Sequence, residues 1–70
     1  MIIYTKDNCS YCVKAKNLAK YRGQEYTEVK IGIDITREEF LGLFPEARTV
    51  PQIVIDGVHI GGYTEYWDYT

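Results

Sequence analysis

Apolar and polar positions follow two different periods along this chain. Residues 1–5 (Met-Ile-Ile-Tyr-Thr) form an apolar, β-prone run that predicts a buried strand. After Asp7-Asn8-Cys9, which resembles the start of a helix, the spacing changes: Cys12, Ala15, Leu18, Ala19 and Arg22 share one helical face, with Lys16, Asn17 and Lys20 opposite. Gly23 is placed to stop that helix. Residues 26–31 read as a second strand. Thr36, followed three residues on by Glu39, is a capping box that opens a short helix bearing Phe40, Leu43 and Phe44, and Pro45 closes it. Ile53-Val54-Ile55 and Val58-His59-Ile60 flank Asp56-Gly57, a two-residue hairpin signal. Gly61-Gly62 breaks the second arm. Residues 63–70 begin a last helix, for which Trp67 is the expected anchor.

The predicted order is β-α-β-α-β-β-α. A strand-helix-strand start implies a parallel pair joined by a right-handed crossover, to which the hairpin adds two antiparallel strands. The expected fold class is therefore α/β, a four-stranded mixed sheet with three helices. Seventy residues allow one domain, residues 1–70, with a core at the small end of what folds unaided. No repeat, low-complexity stretch or linker divides the chain.

Charge and composition narrow the function classes. With 46% hydrophobic and 26% charged residues the chain is globular in composition, and a net charge of −2 lacks the basic footprint of a nucleic-acid binder. The average conceals an asymmetry: residues 1–30 carry six basic and three acidic groups, residues 31–70 two basic and seven acidic. One end could thus attract small anions. No apolar run approaches the ~20 residues needed to cross a bilayer, and no charged and apolar leader precedes the first strand. A soluble, cytoplasmic monomer without membrane or nucleic-acid partners is expected.

The two cysteines, Cys9 and Cys12, are too close in sequence to staple a fold, so their role is chemical. At a helix start, unpaired N–H groups and the positive end of the helix dipole favour a thiolate, and such sites lower a thiol pKa from about 8.5 to roughly 3.5–7.5. Cys9 is the predicted nucleophile. Cys12, one turn further in and within disulfide reach, is the predicted resolving thiol. Lys6 adds positive charge nearby. A lone C-x-x-C also fits two other readings, a zinc site and an inert thiol pair, although structural zinc needs four ligands and His59 is the chain's one histidine. Among the other side chains, the tyrosines beyond Tyr11 read as packing residues, and Lys14, Lys16, Lys20 and Arg22 as a solvated helix face or a docking face for an acidic partner.

Cys9-Ser10-Tyr11-Cys12-Val13-Lys14-Ala15-Lys16, within residues 4–19, resembles the active-site strand and helix of a dithiol glutaredoxin. Thr49-Val50-Pro51-Gln52-Ile53 and His59-Ile60-Gly61-Gly62-Tyr63-Thr64 resemble that family's two other signatures in the same order, and the likeness covers essentially the whole chain. It implies a minimal thioredoxin-like fold and a glutathione-dependent disulfide oxidoreductase with a potential of about −200 to −230 mV. Glutathione is then a co-substrate, and no tightly bound cofactor is expected. Pro51 would be cis, turning the Val50 backbone toward Cys9 to pair with glutathione as an added strand does. Gly62, Tyr63 and Thr64 would receive the γ-glutamyl carboxylate and Lys6 the glycyl carboxylate, with Thr49 and Tyr11 lining the cleft.

The resemblance also has departures. Glu65 stands where relatives often carry Asp. Ser10 replaces a frequent Pro, and some members with Ser there assemble a glutathione-ligated [2Fe–2S] cluster between two protomers through Cys9. Eight residues follow Gly62, so a short final helix and marginal or ligand-dependent stability are expected. Disulfide-containing or glutathionylated proteins, ribonucleotide reductase among them, are the implied partners. A protein of this shape reduced by thioredoxin reductase is the alternative enzyme, and the glutathione-site motifs argue against it.

Overall fold

Seven elements follow one another in the expected order: β1 (Ile2–Thr5), α1 (Ser10–Tyr21), β2 (Thr27–Lys30), α2 (Arg37–Leu43), β3 (Gln52–Ile55), β4 (Val58–Gly61) and α3 (Tyr63–Asp68). The structure, a computed structural model, describes residues 1–69; Thr70, the end of the expected last helix, lies outside the described residues. The sheet order is β2-β1-β3-β4, with β1 parallel to β2 and antiparallel to β3, and β3 antiparallel to β4. A mixed sheet results, its one parallel pair joined through α1.

Strand alternation sorts the apolar side chains onto two faces. Ile3 and its cross-strand partner Ile53 are fully buried against Ala15, Leu18 and Ala19 of α1 and Tyr66 of α3. Tyr4, one residue on, faces the other way and packs on Phe40 and Phe44 at centroid distances of 5.8 and 5.1 Å. The sheet therefore carries α1 and α3 on one face and α2 on the other; Phe40 and Phe44 face the sheet as their spacing predicts, whereas Leu43, grouped with them, is 58% exposed.

Local signals set the element ends. At the C-terminus of α1 the Gly23 N–H donates to Lys20 and the Gln24 N–H to Ala19, a Schellman motif with Gly23 at φ 69°. The Thr36–Glu39 capping box is present in both directions at 3.0 Å, a motif worth about 1 kcal/mol. Asp56 and Gly57 both take positive φ, the geometry that matches strand twist in a two-residue hairpin. β4 does not break before the glycines: it runs through Gly61, and a bulge leaves Ile60 unpaired between His59 and Gly61.

Three expectations need correction. Tyr66, not Trp67, anchors α3: Tyr66 is fully buried while Trp67 is 57% exposed. Its hydroxyl bonds Gln24, and burial pushes that hydroxyl's pKa up despite the Arg22 guanidinium beside it, so the buried group stays neutral. Tyr21 and Tyr69 are exposed and are not packing residues. Arg22 is exposed but is more than a solvated side chain: its guanidinium lies over the Tyr66 ring and donates to the Tyr66 and Trp67 carbonyls at 2.9 and 2.8 Å, tying α1 to α3.

Candidate active site

Cys9 is the N-cap of α1, and its Sγ accepts the Cys12 N–H at 3.1 Å. Sulfur takes the place of the oxygen that ordinarily caps a helix. Asn8 just before it adopts φ 57°, a left-handed turn that Asn tolerates, and this swings the chain from β1 into the cap. The first turn of α1 holds no acidic side chain. The positive end of the helix is thus not cancelled by its own residues and can act on a negative sulfur.

A second contact opposes the first. The Val50 carbonyl oxygen lies 3.6 Å from the Cys9 Sγ; it can accept a thiol proton but repels a thiolate. The N–H contact is shorter and strengthens as the sulfur becomes charged, whereas a thiol is only a weak donor.

Cys12 sits on the core face of α1, 2% exposed, while Cys9 is half-buried. Their Cα atoms are 5.2 Å apart and the two sulfurs are bonded. The pair therefore forms a disulfide without moving the backbone. Ala15, Leu18 and Ala19 fix this asymmetry, because burying them turns Cys12 inward.

Beside the pair lies a groove of about 280 Å³ that gathers Tyr11, Thr49, Val50, Pro51, Gly62, Tyr63 and Thr64, with Glu65 at its edge. The Val50–Pro51 peptide is cis. Tyr11 packs on Tyr63 at 5.7 Å, and the Lys14 ammonium stands 4.9 Å above the Tyr11 ring. Lys6 is not in this groove. It lines two flanking hollows, one of about 440 Å³ with Arg37, Arg48, Thr49 and Val50, the other with Cys9, Cys12, Lys16 and Glu28. Seven of the eight binding residues expected from sequence thus line one groove, and the eighth flanks it.

The start of α3 differs from expectation in one respect. Glu65 folds back so that its carboxylate accepts the Gly62 N–H at 2.7 Å. A Cβ at Gly61 would come within 2.8 Å of that side chain, so Gly61, at φ 127°, makes the inward turn possible. One N–H expected to face a ligand is therefore engaged by the chain's own acid.

Electrostatics around Cys12 also rest on pairing. Lys16 and Lys30 meet Glu28 and Asp7 at 3.1 and 3.2 Å, so part of the positive excess of residues 1–30 is cancelled within that half. Arg37 and Arg48, from the acidic half, line the same hollow as Lys6. The Thr5 hydroxyl, donating at 2.7 Å, is the main cause holding the Glu28 carboxyl below its ordinary value; burial opposes it, and Lys16 and Lys30 reinforce it. This network adds stability above the ordinary carboxylate range and loses it as pH falls through the lowered value. Among the described residues no group of three or more His, Cys, Asp or Glu side chains is placed to hold a metal ion.

The family model for Glutaredoxin matches residues 1–60. The chain belongs to the glutaredoxin family. It is 39% identical over 71 residues to Glutaredoxin 1 of Rickettsia felis, an alignment covering 97% of this chain and 69% of that protein. Among solved structures, the crystal structure of Glutaredoxin 1 from Francisella tularensis complexed with cacodylate matches with a TM-score of 0.81 at 36% identity, over 94% of this chain and 85% of that one. A buckwheat glutaredoxin–glutathione complex matches with a TM-score of 0.74 at 29% identity, over 96% and 64%. This glutaredoxin thus has the thioredoxin-like fold and is a thiol–disulfide oxidoreductase with a disulfide-forming pair at Cys9 and Cys12.

Sequence reasoning did not single out Arg37 and Arg48, and it named Gln52 and His59 without pairing them. The two arginines approach Lys6 only through tertiary packing. The other two carried a signal: a two-residue turn sets His59 opposite Val54, and Gln52, two residues from Val54, shares its face.

Proposed function

We propose that this glutaredoxin uses glutathione to reduce protein disulfides and glutathionylated thiols. The Cys9 thiolate attacks one sulfur of a protein disulfide, expelling the other as a thiolate that takes up a proton. Cys12, once deprotonated, attacks the Cys9 sulfur, releases the second substrate thiol and forms the Cys9–Cys12 disulfide. Two glutathione molecules then return two electrons, the first forming a mixed disulfide with Cys9 and the second leaving with it as glutathione disulfide. With a glutathionylated substrate, Cys9 alone accepts glutathione and passes it to a second glutathione.

The observation that carries this reading is the junction at Cys9: a sulfur held by the Cys12 N–H lies 3.6 Å from the Val50 carbonyl, at the side of the Tyr11–Thr64 groove. The buckwheat relative of the same fold is a glutathione complex. In this chain the Val50 backbone would pair with the cysteinyl unit, and Lys6, with Arg37 and Arg48 near it, would meet the glycyl carboxylate. The first N–H groups of α3 lack intrahelical partners, and those of Tyr63 and Thr64, with the Thr64 hydroxyl, would take the γ-glutamyl carboxylate. A reducing compartment such as the cytoplasm, where glutathione can recycle the pair, is the proposed location.

Reductant choice tests the reading. The protein is expected to turn over a glutathionylated peptide with glutathione and glutathione reductase, and to show no turnover when thioredoxin reductase is the electron source. Turnover with thioredoxin reductase alone would overturn glutathione dependence.

A further inference from the structure

Gln52, one residue beyond Pro51, is a buried polar side chain at 6% exposure. Its Nε2 donates to the Thr49 carbonyl at 2.7 Å, and its Oε1 lies 2.7 Å from the His59 Nε2. A carbonyl oxygen can only accept, which fixes the Gln52 amide orientation. With Oε1 facing the imidazole, the His59 Nε2 must carry the proton. Phe44 packs against that imidazole in a tilted arrangement, centroids 4.4 Å apart, and itself packs on Tyr4, so the ring is held in place. A chain of two hydrogen bonds thus runs from β4 to the loop before Pro51.

The end of that chain has a geometric consequence. The Thr49 carbonyl and the Val50 N–H belong to one planar peptide unit and point in opposite directions. Fixing the first therefore aims the second. Neither Gln52 nor His59 lines the groove itself; both line a hollow behind the loop that shares Thr49, Gly62 and Glu65 with it.

We propose that Gln52 and His59 are positioning residues which, by holding the Thr49 carbonyl, orient the Val50 N–H toward the backbone of a glutathionyl substrate. The inference rests on the glutathione-dependent reading above. It assigns to the hairpin a control over substrate affinity that involves no contact with substrate and no part in thiol chemistry. The loss should therefore appear in KM and leave the chemical step alone.

Three variants and one spectrum test this. Gln52→Met keeps the length and apolar stem but makes neither hydrogen bond; His59→Phe keeps the stacking ring at an exposed position and loses the donor; His59→Gln restores a donor. For a glutathionylated peptide, KM is expected to rise about tenfold in Gln52→Met, the loss associated with one or two neutral hydrogen bonds. It should rise severalfold in His59→Phe and return toward the original value in His59→Gln, with kcat per alkylatable Cys9 within about twofold throughout. Nitrogen-15 spectra of the imidazole should show the Nε2-protonated tautomer at neutral pH. An Nδ1-protonated ring, or variants whose losses fall on kcat with KM unchanged as simple unfolding would produce, would overturn the inference. An unmodified protein that turns over with glutathione while KM ignores all three substitutions sinks the inference alone; one inactive with glutathione sinks both it and the function beneath it.

Discussion

Replacing Cys9 with serine is expected to lower both disulfide reduction and deglutathionylation by at least about 10³-fold, as removing the nucleophile of a covalent mechanism does. A serine hydroxyl accepts the Cys12 N–H as well as sulfur does, so the cap and the fold should survive. The loss is then chemical. Cys12→Ser behaves differently, because Cys12 is needed only to resolve a mixed disulfide: deglutathionylation should persist while reduction of protein disulfides through the dithiol route disappears. Assaying both substrates with both variants, against folded fraction by circular dichroism, checks the pair. Substantial disulfide reduction by the Cys9→Ser protein would reverse the assigned roles.

The largest stability effect is expected at Tyr66. Truncation to alanine removes a fully buried ring from between α1, β3 and β4, its bond to Gln24 and the surface on which Arg22 stacks. Large-to-small aromatic substitutions in cores cost about 3–5 kcal/mol, and a chain of this length has roughly 4–10 kcal/mol in total. Tyr66→Ala should therefore be largely unfolded at room temperature, or melt in very little urea. Tyr66→Phe retains the packing and loses one hydrogen bond, about 1 kcal/mol. Trp67→Ala, at an exposed neighbour, should stay within about 0.5 kcal/mol of the parent. A urea titration that ranked Trp67→Ala below Tyr66→Ala in stability would contradict the assignment of the anchor.

That pair of neighbours shows where sequence reading succeeds and where it stops. Features set by a few adjacent residues were legible: the Thr36–Glu39 capping box, the Asp56-Gly57 hairpin, the Gly23 stop and the C-x-x-C at a helix start all appear in the structure. In a six-residue helix, however, the apolar pattern of Tyr63, Tyr66 and Trp67 does not define a face, and hydrophobicity favours the larger indole. What decided the matter was the position of Gln24 and Arg22 beyond α1, which a linear pattern does not contain.

The candidate site divides along the same line. Its motifs name the residues of the groove, but Glu65 turning back onto Gly62, and Arg37 and Arg48 approaching Lys6, depend on how α2, α3 and the loop before Pro51 come together. Periodicity alone places Lys16 on the outer face, yet its long stem reaches Glu28 on β2. The Gln52–His59 bond lies between these cases, since hairpin register predicts a shared face and only packing shows that the two side chains meet.

The most direct test concerns the charge on one sulfur. In a Cys12→Ser background, where Cys9 is the one remaining thiol, the rate of iodoacetamide alkylation is followed against pH. The cap geometry at α1 predicts an inflection clearly below that of free cysteine, in the lowered range for thiols at helix N-termini. An inflection near the free-cysteine value of about 8.5 would mean that the Val50 carbonyl outweighs the Cys12 amide and the helix end, and that Cys9 is not activated by its place in the fold.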